Sequence, residues 1–164
     1  MRISYSQTTI TPSLSTPVFL AGFQQNRTAI SIHDELYCRV LVLEQDSKVL
    51  VLAALDLLGL SRIYWNAIER RINDKIPGVR LVGACTHTHH GPDTIGIWGP
   101  DFTTTGVNPD YLTWLQEQVM KSVLNALDTQ RVPVQLLCGS THVPGVAKNT
   151  RDPEIIDDEL AVLQ

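Results

Sequence analysis

A mixed α/β fold, with a β-sheet core, covering helices and the approximate order βββαβαββ, is predicted by three observations. Apolar, β-branched runs of strand length recur along the chain, two longer stretches carry apolar residues at helical spacing, and Pro, Gly or Asn stand at the boundaries. Glu35 to Leu43, the polar turn Glu44 to Ser47, and Lys48 to Leu57 read as a hairpin. Both of its strands are nearly continuously apolar, which predicts cover on both faces. Ser61 is placed to N-cap a helix, SRIYWNAIERRINDKI, whose Trp65, Ile68, Ile72 and Ile76 mark one face and which Pro77-Gly78 stops. The strand Val79 to Cys85 follows, then a long loop from Gly91 to Val107 rich in Gly, Thr and Asp. A loop of that length within a compact domain usually serves a site. Asn108 and Pro109 open a second helix with the stripe Leu112, Leu115, Val119, Val123 and Leu127. A strand over Val132 to Ser140 leads into a polar loop ending at Arg151. The run Asp158 to Gln164 begins as another buried strand and stops without a turn or polar tail, as expected of a fragment.

The densest chemistry lies in Thr86-His87-Thr88-His89-His90-Gly91-Pro92-Asp93, which holds three of the five histidines. Gly91-Pro92 forces a turn, so the histidines sit where a strand leaves the sheet. In an extended segment His87 and His89 share a face and His90 takes the other. Neutral imidazole is the commonest protein metal ligand, and a strand exit lets the sheet fix ligands while substrate enters from the open end. Two imidazoles fall short of the three or four ligands of a zinc site, so others must join them. The same histidines also fit a solvated or backbone-capping role.

With 164 residues, 43% of them apolar, the chain is long enough for one domain with a sizeable core. Seventeen acidic and thirteen basic residues are scattered, giving a net charge of −4 and no basic stripe, which disfavours nucleic acid as a partner. The N-terminus has no signal-peptide pattern and no apolar run is long enough to span a bilayer, so a cytoplasmic protein without a transmembrane segment is expected. The sequence sets no oligomeric state. Cys38, Cys85 and Cys138 each lie in an apolar run and read as buried thiols of a reducing compartment, with a nucleophilic role for Cys85 the weaker alternative.

Several polar residues admit two roles. Asp56 ends a strand and can hold a ligand imidazole's second N–H or cap a turn. His90 is a structural or loop hydrogen-bonding residue or a ligand of a second metal, and Asp93 is an extra ligand or a turn former. His33-Asp34 suggests an acid/base pair, but neighbours on an extended segment face opposite sides, which favours a turn. His142 reads as a solvated loop residue, and Trp98 as a pocket wall or a loop anchor.

Ile10-Thr11-Pro12, Ile32-His33-Asp34 with Leu36, Tyr37 and Arg39, Asp56-Leu57, Thr86 to Pro92, and Asn149-Thr150-Arg151 before Asp152-Pro153 resemble, in order and spacing, the N-terminal part of the neutral/alkaline non-lysosomal ceramidases. The resemblance covers nearly the whole chain, and the THTHxGP segment is its most specific motif. Asp93 to Gly99 is closer to the shorter bacterial relatives than to the animal enzymes, which usually have Ser where His90 stands. The resemblance implies that residues 1–164 are the N-terminal portion of a single metallohydrolase catalytic domain. It implies a zinc-dependent amidase of ceramide-type or related N-acyl lipid substrates, hence a place in sphingolipid metabolism. His87 would be a zinc ligand, His89 would contact the substrate near the scissile carbonyl, and Arg151 would hold its polar part. The family's other ligands, a His, a Glu and a Tyr, and its serine lie beyond Gln164, so the piece alone is expected to be inactive. Zinc in such a site polarises the carbonyl and lowers the pKa of water, while His89 and Arg151 meet developing charge. A metallo-esterase or phosphoesterase on the same scaffold and a catalytically incomplete binding fragment are the alternatives.

Overall fold

The structure, a computed structural model, describes residues 1–164 and divides into two compact units, Arg2–Val132 and Pro133–Gln164 with Met1. The larger unit is built on a mixed sheet. β1 (Arg2–Thr9), β2 (Tyr37–Gln45) and β3 (Lys48–Leu55) run antiparallel, and β4 (Val79–Cys85) returns parallel to β3 after helix α1 (Arg62–Lys75). Helix α2 (Pro109–Asp128) and the two-residue β5 (Val132–Pro133) follow, giving the sheet order β4-β3-β2-β1-β5. The predicted fold class is the observed one.

The β2–β3 hairpin is tighter than the sequence indicated. Gln45 pairs with Lys48, leaving only Asp46 and Ser47 in the turn, both at positive φ (49° and 65°). That pair of left-handed residues matches the twist of the flanking strands. Ser61 stands at the N-cap of α1 without using its side chain, whereas Asn108 caps α2 by accepting from the N–H groups of Asp110 and Tyr111. α1 ends as expected: Gly78 takes φ +87°, and Asn73 bonds both the Gly78 N–H and the Val79 carbonyl.

The α2 stripe is the core. Leu115, Val119 and Val123 are fully buried against Val40, Val42 and Val51 of the sheet, and α1 adds Ile68 and Ile72. Ser4 and Ser6 of β1 donate to the carbonyls of Ala126 and Ser122, fastening helix to strand where apolar packing gives way. Trp65 is pressed onto Gly83, where a Cβ would lie 2.3 Å from the indole. Cover on both sheet faces, expected from the apolar hairpin, is not found within these residues. The helices take one face, while Tyr5, Leu41, Leu52, Ala54 and Val82 line an open apolar groove on the other.

In the smaller unit, β6 (Cys138–His142) and β7 (Glu159–Leu163) pair antiparallel. The strand predicted over Val132 to Ser140 is therefore two strands in two sheets, and the order becomes βββαβαβββ. Pro133 lacks the N–H that a continuing ladder requires. The Asp158 to Gln164 run does form a strand, but every residue of β7 is exposed rather than buried. Cys138 is likewise exposed, against expectation; Cys38 is buried and all three thiols are free.

Candidate functional site

The histidine segment begins as an extension of the β3–β4 pairing. The N–H groups of Thr86 and His87 donate to the carbonyls of Leu55 and Leu57 at 2.9 and 3.0 Å. The chain then turns on His87 itself, at φ +61°, a left-handed conformation uncommon outside glycine and costly for a bulky residue. The alternation argument for His87 and His89 thus fails, because the segment is not extended. The two rings nevertheless meet, edge to face, at 5.1 Å. His90 leaves in another direction and lines a cleft of about 600 Å³ with Thr88, Leu36 and His33.

His87 and His89 are held differently. The His87 Nδ1–H donates to the Leu58 carbonyl at 2.9 Å, which fixes the tautomer and leaves the Nε2 lone pair free on an exposed ring. His89 has no such partner: its Nδ1 is buried and unbonded. An orphaned buried donor is rarer than an under-satisfied acceptor, so the favoured tautomer keeps the lone pair on Nδ1 and the proton on Nε2. His87 thereby presents a lone pair and His89 a donor, side by side.

Of the two roles open to Asp56, the bond to the His87 Nδ1–H is made by the Leu58 carbonyl. One oxygen of the Asp56 carboxylate, Oδ2, accepts from the Tyr37 N–H at 3.0 Å and from Arg39 at 2.7 Å, which anchors the start of β2. Asp93 is the turn former of its two alternatives. It is 1% exposed, and its two oxygens accept from the N–H groups of Ile95, Gly96 and Trp98, organising the long loop from within. His33 and Asp34 do meet, at 2.7 Å, despite being sequence neighbours, because the backbone bends there. The bond raises the His33 pKa, yet both side chains stand in solvent. His142 lies in β6 rather than a loop and bonds Asp158 at 2.6 Å. Burial pushes the Cys85 thiol up to about 11, which disfavours the thiolate that a nucleophilic role needs. Arg151 lies in the smaller unit, exposed beside an Asn149 side chain that accepts the N–H groups of Arg151 and Asp152.

A segment that the sequence did not single out frames the site. Phe19 to Ala21 is bonded to the histidine loop through Ala21 N–H to Gly91 O (3.0 Å) and Asp93 N–H to Phe19 O (2.7 Å). Gly22, Phe23 and Arg27 then surround His89. Ala-Gly-Phe followed by polar residues has the look of any loop; only the positive φ of Gly22 (85°) and Phe23 (67°) sets it apart.

His87 suits zinc, a borderline-soft ion that takes neutral imidazole. It would be a single ligand, however: no three His, Cys, Asp or Glu side chains of the chain converge on a point that could hold an ion. A complete zinc site therefore needs donors beyond those grouped here.

No protein-family model and no curated protein matches the sequence. Among solved structures, the fold is shared with a class of hydrolytic enzymes, the ceramidases. A ceramidase complexed with C2 superposes with a TM-score of 0.79 at 22% identity over 99% of this chain, and the neutral ceramidase from Pseudomonas aeruginosa with 0.78 at 21% over 99%. The chain spans 28% and 29% of those two proteins. The motif resemblance and the fold therefore agree: these residues have the fold of less than a third of a neutral ceramidase.

Proposed function

We infer that this chain is part of a metal-dependent hydrolase of linear amide bonds acting on an N-acyl lipid of the ceramide type. The observation that carries the reading is the pairing of His87 and His89 on this fold. One imidazole is fixed through its Nδ1–H by the Leu58 carbonyl, which leaves Nε2 for a ligand, and a second ring stands 5.1 Å away with its own Nδ1 buried and unbonded. His87 would hold zinc, which when bound supplies Lewis acidity and a water of lowered pKa. His89 donates from Nε2 to the carbonyl oxygen as negative charge grows there, an interaction stronger in the transition state than in the ground state. The motif resemblance gives Arg151 the task of holding the substrate's polar part, for which a guanidinium offers a planar fork of donors.

The test is zinc content together with hydrolysis of fluorogenic N-acyl amides, on this chain and on forms extended past Gln164, beside His87→Ala. Stoichiometric zinc and amide hydrolysis, both lost in His87→Ala, are expected of the extended form. A folded extended protein that binds no zinc and cleaves no amide overturns the proposal. Cleavage of esters or phosphoesters with amides untouched would keep the metal site and replace the substrate.

A further inference from the structure

The two histidines of the site are positioned by unlike means, and the difference identifies a residue with a specific task. His87 is fixed by a hydrogen bond to the Leu58 carbonyl in the bend after β3, whereas the His89 ring makes none and is oriented by packing alone. On one side the ring lies against the bare α-carbon of Gly22: a Cβ there would fall 2.2 Å from Nδ1. On another side stands the Phe23 ring, 4.6 Å away and tilted by 53°. Phe23 is 75% exposed and sits at positive φ, so neither burial nor backbone preference holds it there.

What holds it is Arg27. One guanidinium nitrogen donates to the carbonyls of both Ala21, at 2.9 Å, and His89, tying the residue before Gly22 to the histidine itself. The same guanidinium lies 5.0 Å over the Phe23 ring, a cation–π distance. Arg27 Nε is buried without a partner, a cost accepted to place the rest of the group.

We propose that Arg27 is a positioning residue of the site: through Gly22 and Phe23 it clamps the His89 imidazole with Nε2 toward the scissile carbonyl, as the Leu58 carbonyl does for His87. The catalytic part of this rests on the amidase reading above; the placement of His89 does not. A misplacement of about 1 Å in a catalytic group can lower turnover about 100-fold. In the form that hydrolyses N-acyl amides, Arg27→Ala is expected to lower kcat by about that factor with KM little changed. Millimolar guanidinium is expected to restore part of it saturably, which loss of a purely structural contact would not allow.

In parallel, NMR of the histidine rings in this chain is expected to show His89 shifted by the Phe23 ring current. That shift should vanish in Arg27→Ala while the signals of His142 stay put. Should Arg27→Ala not fold, Phe23→Ala, which truncates an exposed side chain and leaves the core intact, carries the kinetic arm, with kcat expected to fall and KM to change little. A His89 signal and a kcat both insensitive to these changes, or an effect confined to KM, overturns the proposal. If no form hydrolyses amides, the function above fails, and the ring-current result alone decides whether Arg27 places His89.

Discussion

The unit Arg2–Val132 and the unit Pro133–Gln164 are both made of paired strands and loops, yet they are held by different forces. In the larger unit, β2 alternates strictly between buried and half-buried positions along most of its length, and fully buried residues come from β2, β3, α1 and α2 alike. In the smaller, all ten residues of β6 and β7 are exposed, so the ladder is held by backbone hydrogen bonds and exposed side-chain pairs such as His142–Asp158. Hydrogen bonds exposed to water contribute little net stability, whereas each fully buried aliphatic side chain contributes about 1.5–3 kcal/mol. The larger unit therefore carries its own folding energy and the smaller one scarcely any.

The sharpest way to break this contrast is to delete methyl groups in each. Leu115→Ala, at the centre of the α2 stripe, is expected to destabilise by about 2–5 kcal/mol in urea unfolding followed by far-ultraviolet circular dichroism. Val162→Ala, at an exposed position of β7, is expected to change stability by less than about 0.5 kcal/mol. Comparable losses at the two positions would mean that β7 is packed in solution.

The same contrast explains what was legible in the sequence. Where burial dictates residue type, the pattern speaks: the α2 stripe, Asn108 as its cap and Val79 to Cys85 as a strand all stand where the periodicity put them. Where these 164 residues bury nothing, an apolar pattern has no core within them to match. Leu160 and Val162 read as core because they are apolar, and Val132 to Ser140 read as one strand because the pattern does not show which sheet each end joins. The histidine pair lies between these cases. Its residues were legible as chemistry, but the geometry that joins them depends on the left-handed turn at His87, which alternation cannot foresee. Gly22 and Arg27 were not legible at all, since their contacts with His89 span more than sixty positions of sequence.

A second comparison sets one loop anchor against another. Asp93 and Asn149 each gather backbone N–H groups of their own loop, but Asp93 is buried and holds three, whereas Asn149 is half-buried and holds two. Asp93→Asn replaces one acceptor oxygen by an NH2 that faces donors, and an unsatisfied buried group costs about 1–3 kcal/mol. Hydrogen exchange of the Ile95, Gly96 and Trp98 amides is expected to accelerate accordingly. In Asn149→Ala the Arg151 and Asp152 amides turn to water, and their exchange should rise by a smaller factor. Equal acceleration in the two loops would show that burial is not what separates them.

The thiols give the finest probe. Burial pushes Cys38 up to about 12 and Cys85 up to about 11, whereas Cys138 is exposed in the smaller unit. A disulfide reagent added to the folded protein at pH 8 is expected to modify Cys138 promptly, with Cys38 and Cys85 reacting only on unfolding. The linkage runs in the matching direction. A thiol whose folded pKa lies above its unfolded value of 9.0 binds its proton more tightly in the folded state, so unfolding releases protons above pH 9. The contribution is fully present below pH 9 and is lost as pH rises toward 11 for Cys85 and 12 for Cys38. Urea midpoints measured from pH 8 to 11 should fall across that window, and Cys38→Ala should flatten the slope. A slope unchanged in Cys38→Ala would mean that burial in the core of the larger unit does not hold that proton, and would reverse the assignment of where this chain's stability resides.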